Sequence, residues 1–293
     1  MIVHLLLFLR GVIDRCLLRV GAPIPQSVPP SLSEEKEDAL DIAFVSSMNE
    51  KLSGWFNRDT SELYTDFQVG SKDQVLDVGC GNGRYLSFCA QQGAHLSWVD
   101  IEQHKVEKIH AALKDSAAAS LSGYVSDSQP LPFETPFASR IIASEVMEHV
   151  DNPHEFLAEL YRVGVPGAKY LITVPHEKSE NTLKKFAPPE HFQKPNHINI
   201  FSEQDLEDLL YGAGFEIISQ ENMGFYQAVW WLLIWIAPGD GLSAERIRQS
   251  SLMSSWVRTW SELLKNPRGA EVKLLLDEIF PKRRVVVARK PLA

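Results

Sequence analysis

The sequence predicts an α/β fold, a doubly wound and mostly parallel sheet with helices on both faces. The first observation is one stretch. Gln74-Val75-Leu76-Asp77-Val78 reads as a short apolar strand, runs into Gly79-Cys80-Gly81-Asn82-Gly83 and continues as a helix from Arg84. Glycine has no Cβ, so such a loop can turn sharply and let a ligand approach the backbone. A loop between a parallel strand and a helix N-terminus is where doubly wound folds hold a nucleotide-like ligand. The second observation is an acid, Asp100, 21 residues after Gly79 at the end of the apolar run His95–Val99. An acid at that distance can accept hydrogen bonds from ribose hydroxyls. The third is the alternation of strand and helix patterns from 74 to 175, which implies a parallel sheet.

Length and composition set the limits. A chain of 293 residues can hold one full-sized α/β domain and additions. With 44% hydrophobic and 23% charged residues the composition is that of a globular protein. A net charge of −9 argues against nucleic acid as the main partner. Cys16, Cys80 and Cys89 lack metal-ligand spacing and suggest a reducing, cytoplasmic compartment, not a disulfide scaffold.

In chain order, residues 1–20 form a basic amphipathic pattern. Ile2, Leu5, Leu6, Leu9, Val12, Ile13, Cys16, Leu17 and Val20 share one helical face, and Arg10, Asp14, Arg15 and Arg19 the other. Such a helix lies in a membrane interface or docks on protein. It is too charged to span a bilayer, and no positive residue precedes it as in a signal peptide. Residues 21–33 read as a proline-rich linker. Residues 34–67 read as one or two helices broken at Gly54. Strands follow near 74–78, 95–99, 121–125, 139–144 and 169–174, with helices near 84–92, 102–114 and 153–163. Residues 176–200 form a long polar loop carrying His176, His191 and His197; a loop of that length after a strand is usually functional. Ser202 caps a helix to about Tyr211, and Phe215–Ser219 reads as a sixth strand. An apolar run at 225–237 and two helices near 243–265 and 270–279 come next. The segment 221–282 holds five of the seven tryptophans, Trp230, Trp231, Trp235, Trp256 and Trp260. These face a membrane interface or pack on one another as a helical subdomain.

The glycine spacing separates two ligand classes. Dinucleotide loops read G-x-G-x-x-G; here the pattern is G-x-G-x-G, with Asp77 two positions ahead and Arg84 and Tyr85 behind. An acid beside the loop suits a cofactor with an amine and a sulfonium better than one with phosphates. A glycine-rich turn without any ligand is the plainer alternative.

The stretch resembles motif I of the class I S-adenosylmethionine-dependent methyltransferases. Val125–Phe133, with Asp127 and Ser128, resembles the family's adenine-contacting acid and the segment after it. Ile141–Val150, ending Glu145-Val146-Met147-Glu148-His149-Val150, resembles its fourth strand and turn. Leu157–Pro175 resembles its helix, turn and fifth strand. The likeness covers residues 70–220 and is nearest the broad subgroup of quinone-biosynthesis and sugar methyltransferases. It implies a seven-stranded sheet whose last, antiparallel strand falls at Arg284–Arg289. It also implies a domain plan. Residues 1–33 are an N-terminal helical extension and linker, 34–220 the core, 221–282 a helical, tryptophan-rich cap inserted before the last strand, and 283–293 that strand and the tail.

By the same resemblance, S-adenosylmethionine is held by Asp77, Gly79, Cys80, Gly81, Asp100, Ile101, Asp127 and Ser128. On the acceptor side Glu145, Glu148 and His149 are spaced i, i+3, i+4 and converge if the turn is helical. With His197 or His191 they can hold a divalent cation, Mg²⁺, as in related quinone and RNA 2′-O-methyltransferases. Without one, the turn only shapes the pocket, and His149, His197 and Glu145 are the catalytic candidates, with His176 and His191 as further bases. The expected reaction is methylation of a hydroxyl on a lipid-linked, glycan or small-molecule acceptor, with a small-molecule, quinone-type methyltransferase as the nearest alternative and peripheral contact at the inner face of the membrane. An inactive methyltransferase-like scaffold and a dinucleotide oxidoreductase are the competing classes.

Overall fold

The computed structural model describes residues 34–133, 136–236 and 250–292, with backbone alone for 34–40. The basic amphipathic segment, the linker and the predicted helix start at 243 lie outside them. A helix α1 (Glu34–Leu52) leads into a three-stranded antiparallel meander, β1 (Trp55–Asn57), β2 (Glu62–Tyr64) and β3 (Phe67–Gln68). The meander replaces the second helix expected before residue 67. Gly54, at φ 76°, ends the helix as foreseen. Beyond it, aromatic pairs separated by Arg58-Asp59-Thr60-Ser61 make hairpin chemistry, and Trp55, Leu63, Tyr64 and Phe67 are buried together.

The main sheet has seven strands. They are β4 (Gln74–Val78), β5 (His95–Asp100), β6 (Ser120–Val125), β7 (Ala138–Ser144), β8 (Gly164–Pro175), β9 (Glu216–Met223) and β10 (Arg283–Arg289), in the order β6-β5-β4-β7-β8-β10-β9. β4 through β8 pair in parallel, and β10 runs antiparallel to both β8 and β9. The order reverses between β4 and β7. That is the switch point of a doubly wound sheet, and ligands bind outside the carboxyl ends of the strands there. Helices α2 (Arg84–Gln91), α3 (Gln103–Leu113) and α4 (Pro153–Val163) fall within a residue or so of the expected ranges.

The central strands are buried on both faces, so they read as continuous apolar runs. Val75, Leu96 and Ile142 pack with Leu86, Phe88 and the meander on one side. Leu76, Val78, Ile141 and Ile172 pack with Phe156, Leu160, Leu206 and Leu210 on the other. The long loop is not without structure. It contains α5 (Glu177–Leu183) and a 3₁₀ turn (Pro189–Phe192), followed by α6 (Glu203–Gly212) with a Ser202–Asp205 capping box.

The insertion folds as α7 (Phe225–Ile236), α8 (Ser251–Lys265) and α9 (Gly269–Ile279). Trp256 and Trp260 are buried inside it. Tyr226 stacks on Trp256 at 5.7 Å, Phe225 on Trp260 at 5.7 Å, and Trp260 Nε1 donates to Asn49 Oδ1 at 3.0 Å. These two tryptophans are core, while Trp230, Trp231 and Trp235 are half-buried. No helix among the described residues is long and apolar enough to cross a membrane.

α9 is inverted. Lys273 and Asp277, each 2% exposed, face inward, and Leu274, Leu275 and Ile279 are 51%, 67% and 66% exposed. A Leu or Ile left in water forgoes about 1.5–3 kcal/mol of burial, whereas a buried ion pair roughly breaks even. Asp277 also accepts from Gly224 N and Phe225 N, so the inward pair ties α9 to the start of α7.

Candidate active site

Strand ends at the switch point deliver the predicted cofactor residues together. Asp77 lies in β4 beside Trp98 of β5 and Ile142 of β7. It is 1% exposed and its Oδ2 has no hydrogen-bond partner. Burial, and then the charge of Asp100, push its carboxyl up to about 8. Asp100, at the end of β5, accepts from Gly81 N through Oδ2 and from Glu102 N through Oδ1, each at 3.0 Å. Burial pushes the Cys80 thiol far up, so it is a neutral packing group.

The glycines differ. A Cβ on Gly79 would sit 2.5 Å from Val146 Cγ2, so this glycine is required by packing. A Cβ on Gly81 would meet nothing within 4 Å, although φ is 51°. Ile101 is 69% exposed just past Asp100. Asp127 caps its own turn by accepting from Gln129 N at 3.1 Å, and Ser128 is buried at φ 68°. These residues fit S-adenosylmethionine. The orphaned carboxylate oxygen suits its ammonium, Asp100 keeps lone pairs for hydroxyls, and open space borders Gly81.

On the acceptor side the turn after β7 is not helical. Glu145 adopts φ 54°, a left-handed conformation rare outside glycine. Its carboxylate stands outside the Glu148, His149 and His197 grouping, although its charge still acts on Glu148. Glu145 accepts from Thr173 Oγ1 at 2.9 Å and lies 4.0 Å from Arg283. Thr173 Oγ1 is 2.8 Å from Ser144 Oγ, which is 3.0 Å from the Tyr85 hydroxyl. Glu145 therefore belongs to a polar chain on the β7 and β8 ends.

Glu148, His149 and His197 do converge, with one ligand atom of each within 4.8 Å of the others. The loop is stitched to the turn to achieve this. Ile198 N and Asn199 N donate to Glu148 O at 2.8 and 3.1 Å, and Asn199 Nδ2 donates to Val150 O at 2.7 Å. His149 Nδ1 faces Pro195 O at 3.0 Å and His197 Nδ1 faces Glu180 Oε2 at 2.7 Å. A carbonyl or carboxylate can only accept, so both Nδ1 atoms donate, and Nε2 is the atom of each ring left to take a proton or a cation. Glu148 is 1% exposed and neither carboxylate oxygen has a hydrogen-bond partner, with His149 Nε2 3.8 Å from Oε1. Burial, then Glu145, raises its carboxyl well above the ordinary range.

Glu180, which the sequence did not single out, forms a second grouping with His191 and His197. Burial pushes Glu180 up, but the His197 hydrogen bond and the Lys282 ammonium at 3.1 Å outweigh it and hold it at about 2. Nothing local marked Glu180; only the packing of α5 against the start of β10 reveals it. His191 is half-buried beside His197 and Trp235. His176 stands apart. It caps α5 by accepting from Lys178 N and faces Glu203 at 3.2 Å, a structural role.

A cleft of about 750 Å³ lies between α1, the meander and α2, and none of the predicted cofactor or acceptor residues line it. A smaller cavity of about 100 Å³ is lined by Tyr85, Arg283 and residues of α1, α7 and α9.

A family model described as a methyltransferase domain matches residues 45–220. The chain is 31% identical over 99 residues to the ubiquinone biosynthesis O-methyltransferase of Maricaulis maris, covering 32% of this chain and 37% of that one. It is 26% identical over 164 residues to the mitochondrial ubiquinone biosynthesis O-methyltransferase of Schizosaccharomyces pombe, covering 48% and 58%. The matches thus span only part of these relatives' own lengths. Among solved structures, geranyl diphosphate C-methyltransferase from Streptomyces coelicolor, in complex with Mg²⁺, geranyl diphosphate and S-adenosyl-L-homocysteine, shares the fold. Its TM-score is 0.54 at 14% identity, over 90% of this chain and 86% of that one.

Proposed function

Since the chain belongs to the methyltransferase-domain family, as a class I S-adenosylmethionine-dependent methyltransferase, we propose that it methylates a hydroxyl of a small or lipid-linked acceptor. The observation that carries this reading is the partnerless, buried carboxylate of Asp77 beside the open backbone of Gly81 and the Asp100 carboxylate. S-adenosylmethionine supplies a methyl group already activated on a sulfonium. The chain's part is to hold and align. Asp77 takes the ammonium, Gly79, Cys80 and Gly81 line the methionine part, and Asp100 takes the ribose hydroxyls. Ile101, Asp127 and Ser128 border the adenine.

The acceptor hydroxyl must lose a proton, and the Nε2 atoms of His149 and His197 are the bases for it. A divalent cation, Mg²⁺ or a softer ion better suited to imidazole, fits among Glu148, His149 and His197, where it would lower the hydroxyl pKa. Glu145, tied to Thr173, is left out of that set. Hydroxyl acceptors are supported by the names of the relatives, which are O-methyltransferases. A lipid-linked or glycan acceptor and peripheral contact with the inner face of a membrane are the finer reading. The apolar insertion beside the site supports it.

Calorimetric titration tests the cofactor. S-adenosylhomocysteine should bind and NAD should not; the reverse result rejects the proposal. Chelator treatment followed by Mg²⁺, Mn²⁺ or Zn²⁺ add-back tests the cation. Full turnover in metal-free protein would discard the ion and keep the two histidines as bases.

A further inference from the structure

The cavity of about 100 Å³ has an unusual lining. Arg84, Lys273 and Arg283 reach it from three elements, and among the described residues its only acid is Glu50. Glu50 is already engaged by Arg84. Lys273 pairs with Asp277 and donates to Ser53 Oγ, which leaves one of its three ammonium protons for the cavity; Asp277 Oδ1 is occupied by Gly224 N and Phe225 N at 3.0 and 2.8 Å. Arg283 lies 4.0 Å from Glu145, beyond hydrogen-bond distance, and also feels the Glu148 carboxyl and the Tyr85 hydroxyl, so these groups share its charge with the cavity. Asn49, 5% exposed, adds a buried donor. Trp260 Nε1 donates to its Oδ1, which fixes the amide so that Nδ2 is the other terminus, and that Nδ2 has no partner.

We propose that this cavity is the subsite for an oxyanion of the acceptor, a carboxylate or a phosphate, held by Arg283, Lys273 and Asn49. The proposal rests on the methyltransferase reading above. Three arguments carry it. The donors line one small space whose inner wall, at Asn49 and Lys273, is buried, and charge-assisted hydrogen bonds to an oxyanion are strong there. A chain of net charge −9 nonetheless gathers cations here. The inverted α9 turns Lys273, with its partners Asp277 and Ser53, toward the cavity in place of its leucines. The place is right as well. Tyr85 lines the cavity and begins the chain through Ser144 and Thr173 to Glu145 at the carboxyl ends of β7 and β8.

The test titrates the full chain, with and without saturating S-adenosylhomocysteine, with benzoate, phenyl phosphate and the neutral benzamide. One of the two anions should bind at least about tenfold tighter than benzamide, the worth of one charge-assisted hydrogen bond. The tighter of the two names the group. Asn49→Asp keeps the acceptor for Trp260 and puts an acid in the cavity; Gln227→Glu does so from α7. Each should erase the anion preference while S-adenosylhomocysteine affinity stays unchanged. Equal binding of all three probes, no binding of any, or a preference that survives both substitutions would overturn the subsite. Wild-type protein alone decides the first two outcomes, whatever the variants' stability. Failure of S-adenosylhomocysteine itself to bind would instead overturn the methyltransferase reading, and the probe titration without it still reads the subsite.

Discussion

Asp77 and the two loop glycines are where single residues decide the site. With its carboxyl at about 8, Asp77 is protonated in the free protein near neutrality, whereas an ordinary Asp sits at 3.8. A raised folded-state value means that this group's stabilising contribution is present below 3.8 and is lost as pH rises through about 8. An ammonium beside Asp77 favours the carboxylate. S-adenosylhomocysteine binding at pH 7 should therefore release about one proton, and affinity should climb with pH towards 8. Calorimetry in buffers of different ionisation enthalpy reads this directly; no release would mean that Asp77 is already ionised. Asp77→Asn should abolish the release. The glycines separate packing from binding. Gly79→Ala drives a methyl into Val146 at positive φ and should cost about 1–3 kcal/mol in chemical denaturation. Gly81→Val meets no protein atom at its Cβ, so it should fold and lose S-adenosylhomocysteine affinity by at least about tenfold. Unchanged affinity in both Gly81→Val and Asp100→Ala would displace the cofactor from this loop.

At the scale of elements, α9 carries an interaction that its sequence disguises. Asp277 caps α7 through Gly224 N and Phe225 N and neutralises Lys273. Asp277→Ala removes the cap and strands a buried ammonium, which should cost about 3–5 kcal/mol. Leu275→Gln on the outer face should change stability by no more than about 0.5 kcal/mol. Urea midpoints check both, and the opposite ranking would mean that α9 is turned with its leucines inward. The turn after β7 teaches the same lesson. A helical spacing put Glu145, Glu148 and His149 on one face, but the left-handed φ at Glu145 breaks the helix before it starts. Glu145 goes to Thr173 and Arg283 instead, and the loop after α5 supplies His197 in its place.

Across the whole molecule, β10 must return antiparallel between β8 and β9, so the insertion at 221–282 leaves and re-enters at one end of the sheet. That end holds Arg283, Glu145 and the cavity, which is why an apolar insertion there bears on the acceptor. If the chain also touches a membrane, the basic segment at 1–20 is the attachment, because a net charge of −9 repels anionic lipid elsewhere. Flotation with anionic vesicles should then recover the full chain and much less of a chain starting at Ser33; failure to recover the full chain would remove the membrane contact.

The sequence by itself determined the doubly wound sheet, six of its strands from their apolar runs and the seventh from resemblance. It also determined the glycine loop and its two acids, because these depend on local periodicity and on fixed spacing along the chain. Only the tertiary structure decided the meander after Gly54, the burial of Trp256 and Trp260, the absence of Glu145 from the Glu148, His149 and His197 grouping, and the meeting of Glu180, Lys282 and His197. Apart from the meander, whose pairs such as Trp55 and Tyr64 are local, those depend on which surfaces come together between segments, from 17 residues apart for Glu180 and His197 to 211 for Asn49 and Trp260, and no pattern confined to one segment encodes such a partner.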